Sequence, residues 1–168
     1  MSLLEKPCVI TVSGIGNAGK STALIRLINL FITDKQKSYK VFLYDFKKEV
    51  FGAAPITDEL REHTEQRKID GNFAVPSYLV FVELPCGRKI GINTQGDPGT
   101  QISKWLTVLQ DAKCDVFITA TRLSGGTFDK AKNFAKKNDG VFIPIQKYDN
   151  TYYTNITLSE FLFELIKF

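Results

Sequence analysis

Apolar residues along the chain repeat with two different periods. Cys8–Ser13 (CVITVS) is a short apolar run dominated by β-branched residues, which predicts a strand buried on both faces of a parallel sheet. A glycine-rich turn follows. Over residues 21–31 the period lengthens, and Leu24, Leu27, Ile28 and Phe31 fall on one face of a helix. Lys40–Asp45 (KVFLYD) predicts a second strand. Residues 57–68 carry Asp58, Glu59, Arg61, Glu62, Glu65 and Arg67 with a thin apolar face, which predicts a polar surface helix. Residues 77–84 and 88–94 predict a hairpin turning at Pro85, Cys86 and Gly87. Gly96, Asp97, Pro98 and Gly99 then break the chain.

Beyond that break, Thr100 is placed to cap a helix with Ile102, Leu106 and Leu109 on one face and Trp105 beside them. Residues 115–121 (DVFITAT) predict another strand, ending at Arg122. The turn through Ser124, Gly125, Gly126 and Thr127 leads into a helix with Phe128, Ala131, Phe134 and Ala135 inward. Residues 140–145 (GVFIPI) predict the last strand. Thr157 and Glu160 have capping-box spacing for a closing helix, whose Leu158, Phe161, Leu162, Leu165 and Ile166 form one apolar face. Phe163 and Phe168 fall partly off that face, where they either extend the core or form a protein contact. Strands alternating with helices predict an α/β fold with a mostly parallel sheet, right-handed crossovers and one antiparallel hairpin. Ligands in such folds sit at the carboxyl ends of the strands.

At 168 residues the chain is expected to form a single domain, 1–168, large enough to bury roughly two-thirds of its unfolded surface without a disulfide or metal. Thirteen Phe residues point to a filled core and not to disorder. The three cysteines, Cys8, Cys86 and Cys114, are odd in number and lack metal-ligand spacing, which predicts free thiols. Glu5, Lys6 and Pro7 interrupt the amino-terminal apolar stretch, and no apolar run approaches the ~20 residues of a membrane span. Together these features predict a cytoplasmic protein. The net charge of +4 suits a protein that holds a polyanion. Lys130, Lys132, Lys136 and Lys137 crowd one helix without interleaved aromatics, which reads as a solvated face and makes nucleic acid an unfavoured partner. His63, the sole histidine, sits in the polar 57–68 segment and reads as solvated.

The chemistry concentrates at residues 14–21. Gly14, Ile15, Gly16, Asn17, Ala18, Gly19, Lys20 and Ser21 fit the pattern G-x-x-x-x-G-K-S/T at every fixed position, between a predicted strand and a predicted helix. Small residues let backbone N–H groups approach phosphate oxygens, and the helix adds its N-terminal dipole. Lys20 supplies a mobile cation to the β- and γ-phosphates, and Ser21 a hydroxyl to Mg²⁺, with Thr22 next in the helix.

Across residues 8–31 the sequence resembles the P-loop NTPase superfamily, whose Walker A motif these residues match. The resemblance implies a three-layer P-loop sandwich and Mg²⁺-dependent binding of ATP or GTP. It also implies an acidic residue at the end of a neighbouring strand, on the metal side. Asp97 is the preferred candidate, because a glycine-rich break and a helix follow it; Asp45 is the alternative. Neither alignment of the small-GTPase pattern D-x-x-G that starts from Asp97 or Gly96 is complete, and the position after Asp97, often a water-activating Glu, is Pro98. Gln95 is a further candidate for orienting water. Gln146, Lys147, Tyr148 and Asp149 resemble the guanine-reading element Asn/Thr-Lys-x-Asp, with Gln at the first place, so ATP is favoured while Asp149 remains a candidate base reader. Arg122, at a strand end, could clamp a phosphate or the transition state together with Lys20 and Asp97. The leading expectation is an ATPase or GTPase with slow hydrolysis driving a conformational switch through residues 52–76 and the turn after Thr94. The alternatives are a small-molecule or nucleotide kinase with Asp45 as base, and a non-enzymatic nucleotide-binding module acting through a protein partner.

Overall fold

The computed structural model describes residues 6–15, 19–34, 39–53, 77–96 and 101–167. The expected polar helix at 57–68 with His63, the P-loop residues Gly16, Asn17 and Ala18, and Asp97, Pro98, Thr100 and Phe168 lie outside the described residues. Within them the chain runs β1 (Cys8–Ser13), α1 (Lys20–Thr33), β2 (Lys40–Asp45), β3 (Val50–Ala53), β4 (Leu79–Glu83), β5 (Lys89–Asn93), α2 (Ile102–Asp111), β6 (Val116–Thr121), α3 (Gly126–Lys137), β7 (Val141–Gln146) and α4 (Tyr152–Ile166).

The seven strands form one sheet in the order β3-β2-β4-β5-β6-β1-β7. β5, β6, β1 and β7 run parallel. β2–β3, β2–β4 and β4–β5 pair antiparallel. The sheet is therefore mixed, which corrects the expectation of a mostly parallel sheet with one hairpin. The predicted hairpin is present as β4–β5, but a second one, β2–β3, precedes it. Its four-residue strand VFGA is too short and too exposed to leave a period in the sequence.

β1 and β6 are buried at every position, as continuous β-branched runs require when both sheet faces are covered. Alternate side chains feed two cores. Ile10, Val12, Ile118 and Ala120 pack with Leu24, Leu27, Ile28 and Phe31 of α1 and Leu162 and Ile166 of α4. Val9 and Phe117 pack with Ile102, Leu106 and Leu109 of α2 and Ala131 and Ala135 of α3. Helices thus cover both faces.

Two details of the carboxyl-terminal helix differ from expectation. It begins at Tyr152, capped by Thr151, whose hydroxyl accepts from the Thr154 N–H. Thr157 lies inside the helix, its hydroxyl donating to the Tyr153 carbonyl, and starts nothing. The buried stripe of α4 is Asn155, Ser159, Leu162 and Ile166, whereas Phe161 and Leu165 are exposed. Phe163 extends the core by edge contacts with Phe31 and Tyr39. Gln101, not Thr100, holds the N-cap position of α2.

Candidate functional site

The carboxyl end of β1 leads directly into the glycine-rich turn. The Gly14 N–H donates to the Thr121 carbonyl and extends the β1–β6 ladder by one residue. Gly19 closes the turn in the left-handed region, φ 80°, which a side chain would strain. It is also pressed against the start of α4: a Cβ here would lie 2.4 Å from Asn150 Oδ1 and 2.6 Å from Asn155 Oδ1. The dihedral demands glycine, and a side chain would also have to displace the two asparagine amides.

α1 then begins without a side-chain cap and without an acidic residue in its first turn. Helix termini leave backbone donors unsatisfied, and the macrodipole adds positive potential there, so this end of α1 favours an anion. Lys20 is buried, and its ammonium donates to the Gly14 carbonyl at 2.9 Å, reaching back across the turn. The Ser21 hydroxyl donates to the Thr94 carbonyl at 2.7 Å, which ties α1 to the end of β5. Thr22 is buried beside it.

The floor of the site is neutral and polar. The Ser13 and Thr121 hydroxyls are bonded at 2.8 Å, and Ser13 donates to Thr11 at 3.2 Å. On β5, Asn93 is fully buried and donates through Nδ2 to Thr119 Oγ1 and to the Gln95 carbonyl, while its Oδ1 accepts from the Gln95 N–H. Among the described residues, β1, β5, β6 and β7 all end without a carboxylate. The expected acid, Asp97, lies outside the described residues; β5 itself ends on Asn93, and the frame Asn93-Thr94-Gln95-Gly96 has the D-x-x-G spacing with an amide for the acid. The buried network around Asn93 was not read from the sequence, because its partner Thr119 lies 26 residues away.

Oxygen donors suited to Mg²⁺ are nevertheless present. The Ser21 hydroxyl and the Thr94 carbonyl are hard ligands, and Mg²⁺ keeps several waters and takes further oxygens from phosphate. Among the described residues no cluster of three or more His, Cys, Asp or Glu could hold a metal by itself. A cation here would depend on phosphate for most of its charge balance.

Asp45 does not join the site. β2 lies four strands from β1, roughly 19 Å at a spacing of about 4.8 Å per strand. Its carboxylate accepts from the Lys47 and Lys48 N–H groups and so shapes the β2–β3 turn. Those backbone bonds hold its pKa below the ordinary value. Gln95 is also committed, since its side-chain oxygen accepts from the Trp105 indole at 3.1 Å. Arg122 is half-buried where β6 ends, and its N–H donates to Thr127 Oγ1, which links to the Gly96 carbonyl. It thus stands at the same edge as Gly14 and Ser21.

Asp149 is near the site but occupied. Its Oδ1 accepts from the Thr151 N–H, the Thr151 hydroxyl and the Thr154 hydroxyl, the last at 2.7 Å. The Thr154 hydroxyl bond and then the Thr151 N–H lower its pKa. The Lys147 ammonium turns inward, donating to the Asp149 carbonyl and to Thr154 Oγ1. These residues lock the β7–α4 turn, whose backbone also meets β1 where the Lys147 N–H donates to the Ser13 carbonyl at 2.7 Å. The three cysteines are free, as expected. Burial pushes the Cys114 thiol up to about 12, so it stays protonated and offers no nucleophile.

Comparison of the chain with protein-family models, with curated proteins and with solved structures finds no match. The functional reading therefore rests on these residues. No helix among the described residues is long and apolar enough to cross a membrane.

Proposed function

We propose that the chain binds a nucleoside triphosphate at the β1–α1 turn and hydrolyses it slowly, coupling the cycle to movement of the turn after Thr94. The observation that carries this reading is the uncapped start of α1 behind a left-handed Gly19, with the Lys20 ammonium reaching across the turn to Gly14. An anion entering the turn would offer phosphate oxygens to that ammonium, at little desolvation cost because the lysine is already buried. Helices on both sheet faces agree with a three-layer P-loop sandwich.

Mg²⁺ would be held by Ser21, with Asp97 as the acidic candidate beyond Gly96, and would neutralise charge on the phosphates. Arg122 would face the phosphates from the end of β6 and stabilise charge as the terminal phosphoryl leaves. The Ser21–Thr94 bond supports the coupling, since a metal at Ser21 competes for the same hydroxyl and thereby pulls on the chain leading to Gly96.

A second reading, a nucleotide-binding module acting through a protein partner, is favoured by Asn93, a neutral residue at the strand end. The kinase reading loses its base, because Asp45 is remote and engaged in its own turn.

Equilibrium titration of fluorescent ATP and GTP analogues, with and without Mg²⁺, on wild type and Lys20→Ala tests the proposal. Mg²⁺-dependent binding that weakens at least about tenfold in Lys20→Ala is expected, as for loss of a charge-assisted contact of roughly 1.5–3 kcal/mol. Unchanged affinity in the variant sinks it. Phosphate release followed on the same samples separates slow hydrolysis from a silent binding module.

A further inference from the structure

A groove of about 390 Å³ opens between the end of β7 and the outer face of α4. That volume falls in the range of small-ligand pockets. Its walls include Tyr148 on the turn and Leu158 and Phe161 on α4, and its rim includes Gln146. Tyr148 and Phe161 are 76% and 55% exposed, so two aromatic surfaces border one concavity and remain uncovered. The groove adjoins the phosphate turn: Lys147 is bonded to Ser13, and Asn150 touches Gly19.

We propose that this groove is the base subsite of the nucleotide and that it takes adenine in preference to guanine. The inference rests on the phosphate-turn reading above. Aromatic faces suit a flat base, which stacks on them whatever its identity. Selection comes from the polar edge. Gln146 carries both an amide acceptor and amide donors, the pairing that complements the amino group and ring nitrogen of adenine. The Tyr148 hydroxyl donates to Gln146 Oε1, which orients that amide at the rim.

Guanine needs an acceptor pair for its ring N–H and amino group. Among the described residues the only carboxylate lining the groove is Asp149, and its Oδ1 already takes three donors from Thr151 and Thr154. Pairing guanine with both carboxylate oxygens would displace the Thr151 and Thr154 donors that hold the start of α4. Adenine asks for no such exchange.

The test is equilibrium titration of ATP, GTP and inorganic tripolyphosphate on wild type, Gln146→Leu and Tyr148→Ala, with melting curves to confirm that each variant is folded. Both substituted side chains are on the surface. The expected result is ATP bound more tightly than GTP, ATP affinity falling roughly tenfold in each variant, and tripolyphosphate affinity unchanged. Tripolyphosphate binding with GTP preferred, or with ATP affinity unaltered in both variants, overturns the base subsite and leaves the phosphate turn standing. Failure of wild type to bind even tripolyphosphate overturns both readings.

Discussion

The two halves of the sheet use similar residues to different ends. In the parallel half, β1 and β6 are buried throughout and finish on two hydroxyls bonded to each other. In the antiparallel half, β2 is mostly half-buried and β3 largely exposed, and their packing comes from a cluster of rings: Phe42 stacks on Phe81, and Tyr44 contacts Phe46, Phe51 and Trp105. Each half has a strand ending in a polar group. Asp45 spends its carboxylate on a two-strand turn, because a hairpin must satisfy its own backbone. Ser13 and Thr121 satisfy one another, and α1 beyond them starts with no side-chain cap. A strand followed by a helix can hold a ligand where a strand followed by a hairpin cannot, since only the helix brings unpaired donors to the edge.

The largest effects should follow burial in the parallel half. Phe117 is 1% exposed and packs edge-on against Phe134. Phe117→Ala should cost about 3–5 kcal/mol. Phe51 is half-buried near the sheet edge, so Phe51→Ala should cost less, about 1–2 kcal/mol. Urea denaturation midpoints compare the two. Equal losses would mean that the aromatic cluster carries as much of the fold as the parallel core, and the contrast between the halves would fail.

Next in size is the turn that joins the halves to the site. A Cβ on Gly96 would lie 2.5 Å from the backbone carbon of Ala120, which cannot move without disturbing β6. Gly96→Ala should therefore cost about 1–3 kcal/mol and loosen nucleotide binding. Gly91→Ala serves as the control, because its Cβ would meet the tip of Leu109 at 2.7 Å, and a leucine can change rotamer. The pair sharpens the comparison if Gly96→Ala alone weakens nucleotide affinity. Equal effects on affinity would detach the turn from the site.

What the sequence disclosed follows the range of the interactions involved. β1, α1 and the turn between them were legible because their signals, a β-branched run, a helical period and the Gly-Lys-Ser spacing, are local. The place of β6 between β5 and β1 was not, since strand order is decided by packing between residues such as Ile92 and Ile118, far apart in the chain. β3 was missed because Gly52 breaks so short a strand. At α4, Thr157 and Glu160 have capping spacing, but the actual start is set by Asp149, Thr151 and Thr154 together, and the buried stripe through Asn155 and Ser159 is partly polar. Asp149 illustrates the general difficulty: its bonds to Thr151 and Thr154, residues two and five places on, leave no periodic or motif signal in the sequence.

The smallest effect concerns Asp45 and Asp149, the two turn aspartates. Both are hydrogen-bonded as carboxylates, and both have pKa values below the ordinary 3.8. A depressed folded-state pKa means that the unfolded chain binds protons first as pH falls. The stabilisation each aspartate gives is thus complete above about pH 4 and fades as pH drops through the folded value. Melting temperature measured from pH 6 to pH 2.5 should decline less steeply below pH 4 in Asp45→Asn and in Asp149→Asn than in wild type. Above pH 4 each variant should melt slightly lower, by an amount limited by solvent screening at these exposed positions. The comparison then turns on ligand. Tripolyphosphate at the β1–α1 turn should raise the melting temperature of Asp45→Asn as much as that of wild type, because the hairpin is four strands away. In Asp149→Asn the rise should be smaller, because the β7–α4 turn that Asp149 holds packs directly on Gly19. Identical rises in the two variants would show that the turn's order does not reach the phosphate site.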